Sequence, residues 1–254
     1  MSEPFRVVFL PGGVLPADLA YGALLEVLGA DVDGVAKDLE LYASDEPPLE
    51  YSLDHEIAGV LREADARGWD RFHLVGYSGG GAAALAFAAR RPERLVSLAL
   101  LEPGWAGSWD QSPAEQELWR EYARVAALPD DEFMAAFFTM GVKPGAVRSA
   151  PHDGEPPPWM AKRPAGLRAF MQTFQTYDLD RRTLERFDRP VYFALGALSN
   201  PVEYAESAER LGRTFPDFEL EVFEERHHFD PPHRIEPDRL ARSLKALWER
   251  AERG

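Results

Sequence analysis

The stretch from Arg71 to Ala89, RFHLVGYSGGGAAALAFAA, decides the fold because it sets a serine between a strand and a helix. Phe72, Leu74 and Val75 suit a buried strand, and Ala82 to Ala89 is a run of strong helix formers. The turn between them is Gly76-Tyr77-Ser78-Gly79-Gly80. A serine in so sharp a turn needs small neighbours if strand and helix are to pack closely, and Gly76, Gly79 and Gly80 provide them. The turn lifts the Ser78 hydroxyl above the sheet edge and aims the first N–H groups of the helix at whatever binds there. That is a nucleophile's position. Gly-x-Ser-x-Gly alone recurs by chance, so the flanking strand and helix give this one its weight.

Outward from this turn, strand and helix patterns alternate. Phe5 to Leu10 is a β-branched and aromatic run that stops at Pro11-Gly12-Gly13. Leu15 to Leu28 has apolar residues at helical spacing, Val35 to Tyr42 is read as the second strand, and Ser52 caps a helix that runs to Arg67. Arg94 to Leu101 is again wholly strand-like and ends at Glu102-Pro103-Gly104. Arg189 to Gly196 and Glu219 to Glu224 give two more strands, and Glu236 to Arg250 an amphipathic final helix. Asn200, Pro201 and Glu203 carry the signature of a capping box. Apolar strands separated by helices predict an α/β protein, a mostly parallel sheet with helices on both faces. Ligands collect at the carboxyl ends of such strands, where Gly12-Gly13, Ser78 and Glu102 all fall.

Between Trp105 and Asp188 the strand pattern is lost. Helical stretches are predicted at Pro113 to Ala127, Asp130 to Phe138 and Pro164 to Thr176, separated by a Pro/Gly-rich piece from Gly141 to Pro164. So long an insertion exceeds a simple crossover. The expected organisation is a core of residues 1–104 and 189–254 with a helical cap, 105–188, inserted between sheet strands. Most of the cap's aromatic residues should form its own core, while a few line an apolar pocket over Ser78. Val14, Tyr77 and Trp105 are the candidates for substrate contact.

Composition narrows the partners. The 254 residues carry a net charge of −15 and include no cysteine. The charge argues against nucleic acid or an anionic membrane as partner, and the absence of cysteine excludes disulfides and thiolate catalysis. No apolar run approaches the ~20 residues of a membrane span and the start lacks a signal pattern, so a cytoplasmic protein with a small-molecule substrate is expected. No metal-ligand spacing is apparent, and Gly79-Gly80-Gly81 lacks the Lys-Ser or Lys-Thr of a phosphate loop, so no metal and no cofactor is expected. Oligomeric state is not legible.

A serine hydroxyl needs a neighbouring base. Of six histidines, His73 lies inside a predicted buried strand, and His55 and His152 suit surface positions. His227 and His228 follow the last strand at its carboxyl end, where a loop can reach back over Ser78; His233 is a more distant candidate.

With these residues in place, the chain resembles the α/β-hydrolase superfamily over nearly its whole length. The likeness rests on Gly76-Tyr77-Ser78-Gly79-Gly80, on His228-Phe229, and on the insertion after Leu101. It implies hydrolysis through Ser78 with His228 as base, and an oxyanion hole from the backbone N–H groups of Gly79 and Gly13, with Val14 as alternative to Gly13. Two departures stand out. Pro11 replaces the family's usual His before glycine, and the loop after Gly196, where the acid is usual, offers Ser199 and Asn200. Some relatives carry the acid one strand earlier, the place of Glu102. Glu203 is the rival, although its side chain already has a role in the capping box, and Asp230 lies too close to His228 in sequence. The resemblance implies a serine hydrolase acting on a small, largely apolar ester or lactone. A non-hydrolytic ligand-binding relative and a carbon–carbon bond hydrolase are the alternatives.

Overall fold

A computed structural model describes residues 3–146 and 155–253. Six strands, β1 (Phe5–Leu10), β2 (Val32–Ala36), β3 (Phe72–Ser78), β4 (Leu95–Pro103), β5 (Val191–Gly196) and β6 (Phe218–Phe223), form one sheet in the order β2-β1-β3-β4-β5-β6. Every neighbouring pair is parallel. Because successive strand residues point to opposite faces, Val8, Leu10, Leu74, Leu98, Leu100 and Phe193 feed one core. Their neighbours Val7, Phe9, Val75, Ala99, Leu101 and Tyr192 feed a second. Both faces are therefore apolar, which is why the strands read as nearly continuous hydrophobic runs.

The helices covering these faces are α1 (Ala17–Leu28), α2 (Leu53–Ala66), α3 (Gly79–Arg90), α8 (Glu206–Thr214) and α10 (Pro237–Arg253). Residues of α2, α3 and α8 join the first core, and those of α1 and α10 the second. Ser52 caps α2 as expected: its Oγ accepts from Asp54 N at 3.3 Å, and its own N–H donates to His55 Nδ1 at 3.2 Å.

The second strand lies earlier than the sequence reading placed it. It spans Val32–Ala36, and the segment Glu40–Tyr42 is a short 3-10 turn. The cause is Glu56, a buried α2 carboxylate that accepts the N–H groups of Glu40 and Leu41, both at 2.9 Å. Amides taken by a side chain are withdrawn from a strand ladder.

Between β4 and β5 stand α4 (Pro113–Val125), α5 (Asp130–Met140), α6 (Arg163–Thr176) and the short α7 (Arg181–Leu184), close to the predicted helical stretches. They have a small core of their own built on Tyr122, Val125, Phe133, Leu167 and Met171. His152 lies outside the described residues. A last short helix, α9 (Pro232–Ile235), precedes α10. Among the described residues no helix is long and apolar enough to cross a membrane.

Candidate active site

Ser78 sits where β3 becomes α3, with φ 52° and ψ −120°. Positive φ is strained for a residue with a Cβ, by ~1–3 kcal/mol, and persists only where the surroundings impose it. Here they do. Gly80 donates its N–H to Pro11 O at 3.0 Å, and Gly104 donates to Ser78 O at 2.8 Å, tying the turn to the ends of β1 and β4. A Cβ on Gly76 would stand 2.4 Å from Gly80 O, and one on Gly80 would stand 2.4 Å from Pro11 O. Both glycines are thus required by backbone approach.

His228 comes to Ser78 from the loop after β6. Its Nε2 lies 3.0 Å from Ser78 Oγ, and its Nδ1 lies 3.2 Å from Glu102 Oε2. Glu102 is an extra residue at the end of β4: Tyr77 pairs with Leu101 but Ser78 pairs with Pro103, so the register skips Glu102. That bulge and a φ of 45° re-aim its side chain. The second carboxylate oxygen accepts Gly196 N–H at 2.8 Å. Tyr77 donates its hydroxyl to the backbone carbonyl of His228, and the Tyr204 ring stacks on the imidazole with centroids 4.4 Å apart. The imidazole is held at both nitrogens, at its backbone and on one face.

Among the described residues the other histidines have their contacts elsewhere. His227 Nδ1 accepts Phe229 N–H at 3.1 Å, and its Nε2 faces Asp230 at 3.3 Å. His233 is wholly buried between the rings of Tyr21 and Tyr77, and burial lowers its pKa to about 3. His73 lies in the sheet with Nδ1 2.8 Å from Ser97 Oγ, and burial likewise lowers its pKa to about 3.

Two clefts meet at Ser78. Gly13, Gly79, Ser78 and His228 share the first with Trp119 and Tyr122 of α4 and with Leu167, Phe170, Met171 and Phe174 of α6. The Tyr42 hydroxyl donates to Gly13 O at 2.6 Å, which holds the Gly13–Val14 peptide in place. Val14 and Tyr77 line the second cleft, with Phe138, Phe229 and Arg234. Trp105 lines neither. It is buried and stacks on Phe174 at 5.7 Å, so its ring supports a wall of the first cleft instead of facing it.

Sequence reasoning missed the polar group in the first cleft. Asn200 does cap the following turn, its Oδ1 accepting Val202 N–H at 3.1 Å. Glu203, however, does not close a capping box. Its buried carboxyl lines the cleft, and its Oε2 accepts the Tyr122 hydroxyl at 2.6 Å. Residues 201–205 form a π-helical turn, and the regular helix begins only at Glu206. A wider turn moves the third residue off the line that a capping box needs. Burial raises the Glu203 pKa to about 8, with neighbouring Glu102 and Glu115 adding to the rise and the Tyr122 and Tyr204 hydroxyls opposing it. Among the described residues no group of three or more His, Asp or Glu side chains is placed to hold a metal ion.

The chain has known relatives. A model of the alpha/beta hydrolase family matches residues 7–243. N-formylmaleamate deformylase of Pseudomonas putida is 25% identical over 232 residues, covering 89% of this chain and 82% of that protein. A 68-residue stretch, 27% of the chain, is 49% identical to 2-hydroxy-6-oxo-6-phenylhexa-2,4-dienoate hydrolase of Comamonas testosteroni and spans only 24% of that protein's length. Among solved structures, a thermophilic esterase from Thermogutta terrifontis superposes with a TM-score of 0.73 at 19% identity, covering 97% of this chain and 90% of that one.

Proposed function

Because the chain belongs to the alpha/beta hydrolase family, we propose that it is a serine hydrolase that cleaves a small, largely apolar carboxylic ester or lactone through an acyl-enzyme on Ser78. The observation that carries this reading is the unbroken line from Ser78 Oγ through His228 to Glu102, with separations of 3.0 and 3.2 Å.

In this reading His228 Nε2 takes the Ser78 proton as Oγ adds to the substrate carbonyl, and the imidazolium then gives that proton to the departing alcohol oxygen. Water adds to the acyl-enzyme by the same route in reverse, which returns the proton to Ser78 and releases the acid. Glu102 keeps the Nδ1 proton on the side away from Ser78 and stabilises the imidazolium. The backbone N–H groups of Gly79 and Gly13 receive the charge that develops on the carbonyl oxygen. Residues 105–188 act as a cap: Trp119, Phe170 and Phe174 furnish apolar walls that favour an apolar substrate.

A second reading is carbon–carbon bond hydrolysis by the same side chains. The local likeness to 2-hydroxy-6-oxo-6-phenylhexa-2,4-dienoate hydrolase supports it. The deciding experiment pairs a fluorophosphonate probe with short p-nitrophenyl esters. Labelling at Ser78 and loss of at least about 10³-fold in turnover on Ser78→Ala are expected. Undiminished ester hydrolysis by the variant would falsify the assignment.

A further inference from the structure

Away from Ser78 and His228 the first cleft is mainly apolar but for its Glu203 wall, and that carboxyl differs from every other buried carboxylate near it. Glu102 faces His228, and Glu115 is held by Arg210 through two bonds of 2.6 and 2.7 Å. Glu203 has no ion-pair partner among the described residues, only the hydroxyl of Tyr122 at 2.6 Å and that of Tyr204 nearby. Isolated carboxyls are seldom buried unless a ligand or a neighbour completes them.

We propose that Glu203 is a specificity-determining residue of the Ser78 cleft, placed to donate a hydrogen bond to a neutral keto oxygen on the part of the substrate lodged there. The proposal rests on the reading of Ser78 as nucleophile and names the substrate class more closely. With Tyr122 donating to Oε2, the carboxyl proton belongs on Oε1, where it can serve an acceptor. A keto oxygen accepts and carries no charge, which suits a cleft whose walls away from Ser78 and His228 are mainly aromatic and aliphatic. An ammonium group would require Glu203 to ionise. Burial and the carboxylates of Glu102 on β4 and Glu115 on α4 oppose that, and hold its pKa at about 8. The groups that face Glu203 are therefore Tyr122 and Glu115 from α4, Tyr204 from its own turn, and Glu102 beside His228.

The test uses two series of esters, one with a keto group in the acyl chain and one with it in the alcohol. Each keto ester is compared with its plain alkyl counterpart, so that effects common to both, including His228 titration, cancel in the ratio of kcat/KM. At pH 7 the wild type should favour one keto series by roughly fivefold to tenfold, the worth of one hydrogen bond. The preference should fade as pH rises through about 8. Glu203→Gln, which still carries a donor, should keep it at every pH, and Glu203→Leu should lose it. Absence of a preference in both series, or its survival in Glu203→Leu, overturns the proposal, as does a Glu203-dependent preference for amine-bearing esters instead. Plain alkyl esters hydrolysed by the wild type but not by Ser78→Ala would leave the nucleophile reading standing in each of those cases.

Discussion

Glu102 reaches His228 from a strained backbone: at φ 45° it is bulged out of β4, and from there its Oε2 stands 3.2 Å from Nδ1. Its Oε1 is tied to Gly196 N–H at the end of β5. One carboxylate thus joins the end of the adjacent strand to the loop that carries the histidine. Strain at a single non-glycine residue, imposed by neighbours on both sides, is common at functional positions.

Glu102→Gln should lower turnover by roughly 10²–10⁴-fold, because an amide cannot fix the tautomer or stabilise the imidazolium. Its side-chain oxygen can still accept Gly196 N–H, so the fold should persist, with an unchanged circular dichroism spectrum. Asn200→Ala is the control from the loop where the acid is usual in the family. It removes the bond to Val202 N–H and that to Met140 O, so about 1 kcal/mol of stability should be lost while turnover stays at the wild-type value. The reverse outcome would move the acid to the β5 loop.

How much of this was legible follows from where the determinants lie. The Ser78 turn is local, since a strand, a glycine turn and an alanine-rich helix all fall within residues 71–89, and its geometry is written in consecutive residues. His228 and Glu102 were picked out by their places at strand ends together with the family resemblance, and the fold brings Ser78, His228 and Glu102 within 3.0 and 3.2 Å of one another in turn. β2 was misplaced because Glu56, from another element, takes the amides of Glu40 and Leu41. Glu203 was assigned to a capping box because its spacing from Asn200 fits one, and no residue pattern announces the π-turn that breaks it. Trp105 was read from its position just past β4, whereas its role depends on Phe174, from a distant part of the chain.

The Glu203 carboxyl also makes a prediction about stability. Its folded pKa is raised from 4.5 to about 8, so the unfolded chain releases the proton near 4.5 while the folded protein keeps it until about 8. Between those values the native state binds one more proton, and stability falls as pH rises, by about 1.4 kcal/mol per pH unit from this group. Glu203→Gln removes that slope. Urea unfolding at pH 5 and pH 8 should show the variant gaining a few kcal/mol over the wild type at the higher pH. An equal difference at both pH values would contradict the assignment.

Gly80→Ala tests the turn itself. The added Cβ meets two backbone oxygens, Pro11 O at 2.4 Å and Leu10 O at 2.5 Å, neither of which a rotamer change can relieve. The variant should lose on the order of 1–3 kcal/mol. Because Pro11 leads into Gly12-Gly13, turnover should fall with it. Gly22 on α1 is the comparison: nothing stands within 4 Å of a Cβ there, and Gly22→Ala should be neutral or stabilising by up to ~1 kcal/mol.

Arg210 and Glu115 tie α4 to α8, which packs on the sheet, while α4 stands between β4 and β5. Both side chains are almost fully buried, and breaking such a pair leaves an uncompensated charge. Arg210→Met should therefore destabilise by about 3–5 kcal/mol, whereas Glu115→Leu with Arg210→Met should recover most of that loss. The double variant carries a second consequence through Glu203, whose pKa the Glu115 charge helps to raise. With that charge gone, the pH at which the keto preference fades should move down. Recovery of stability without any such movement would mean that the Glu115 charge does not reach the cleft.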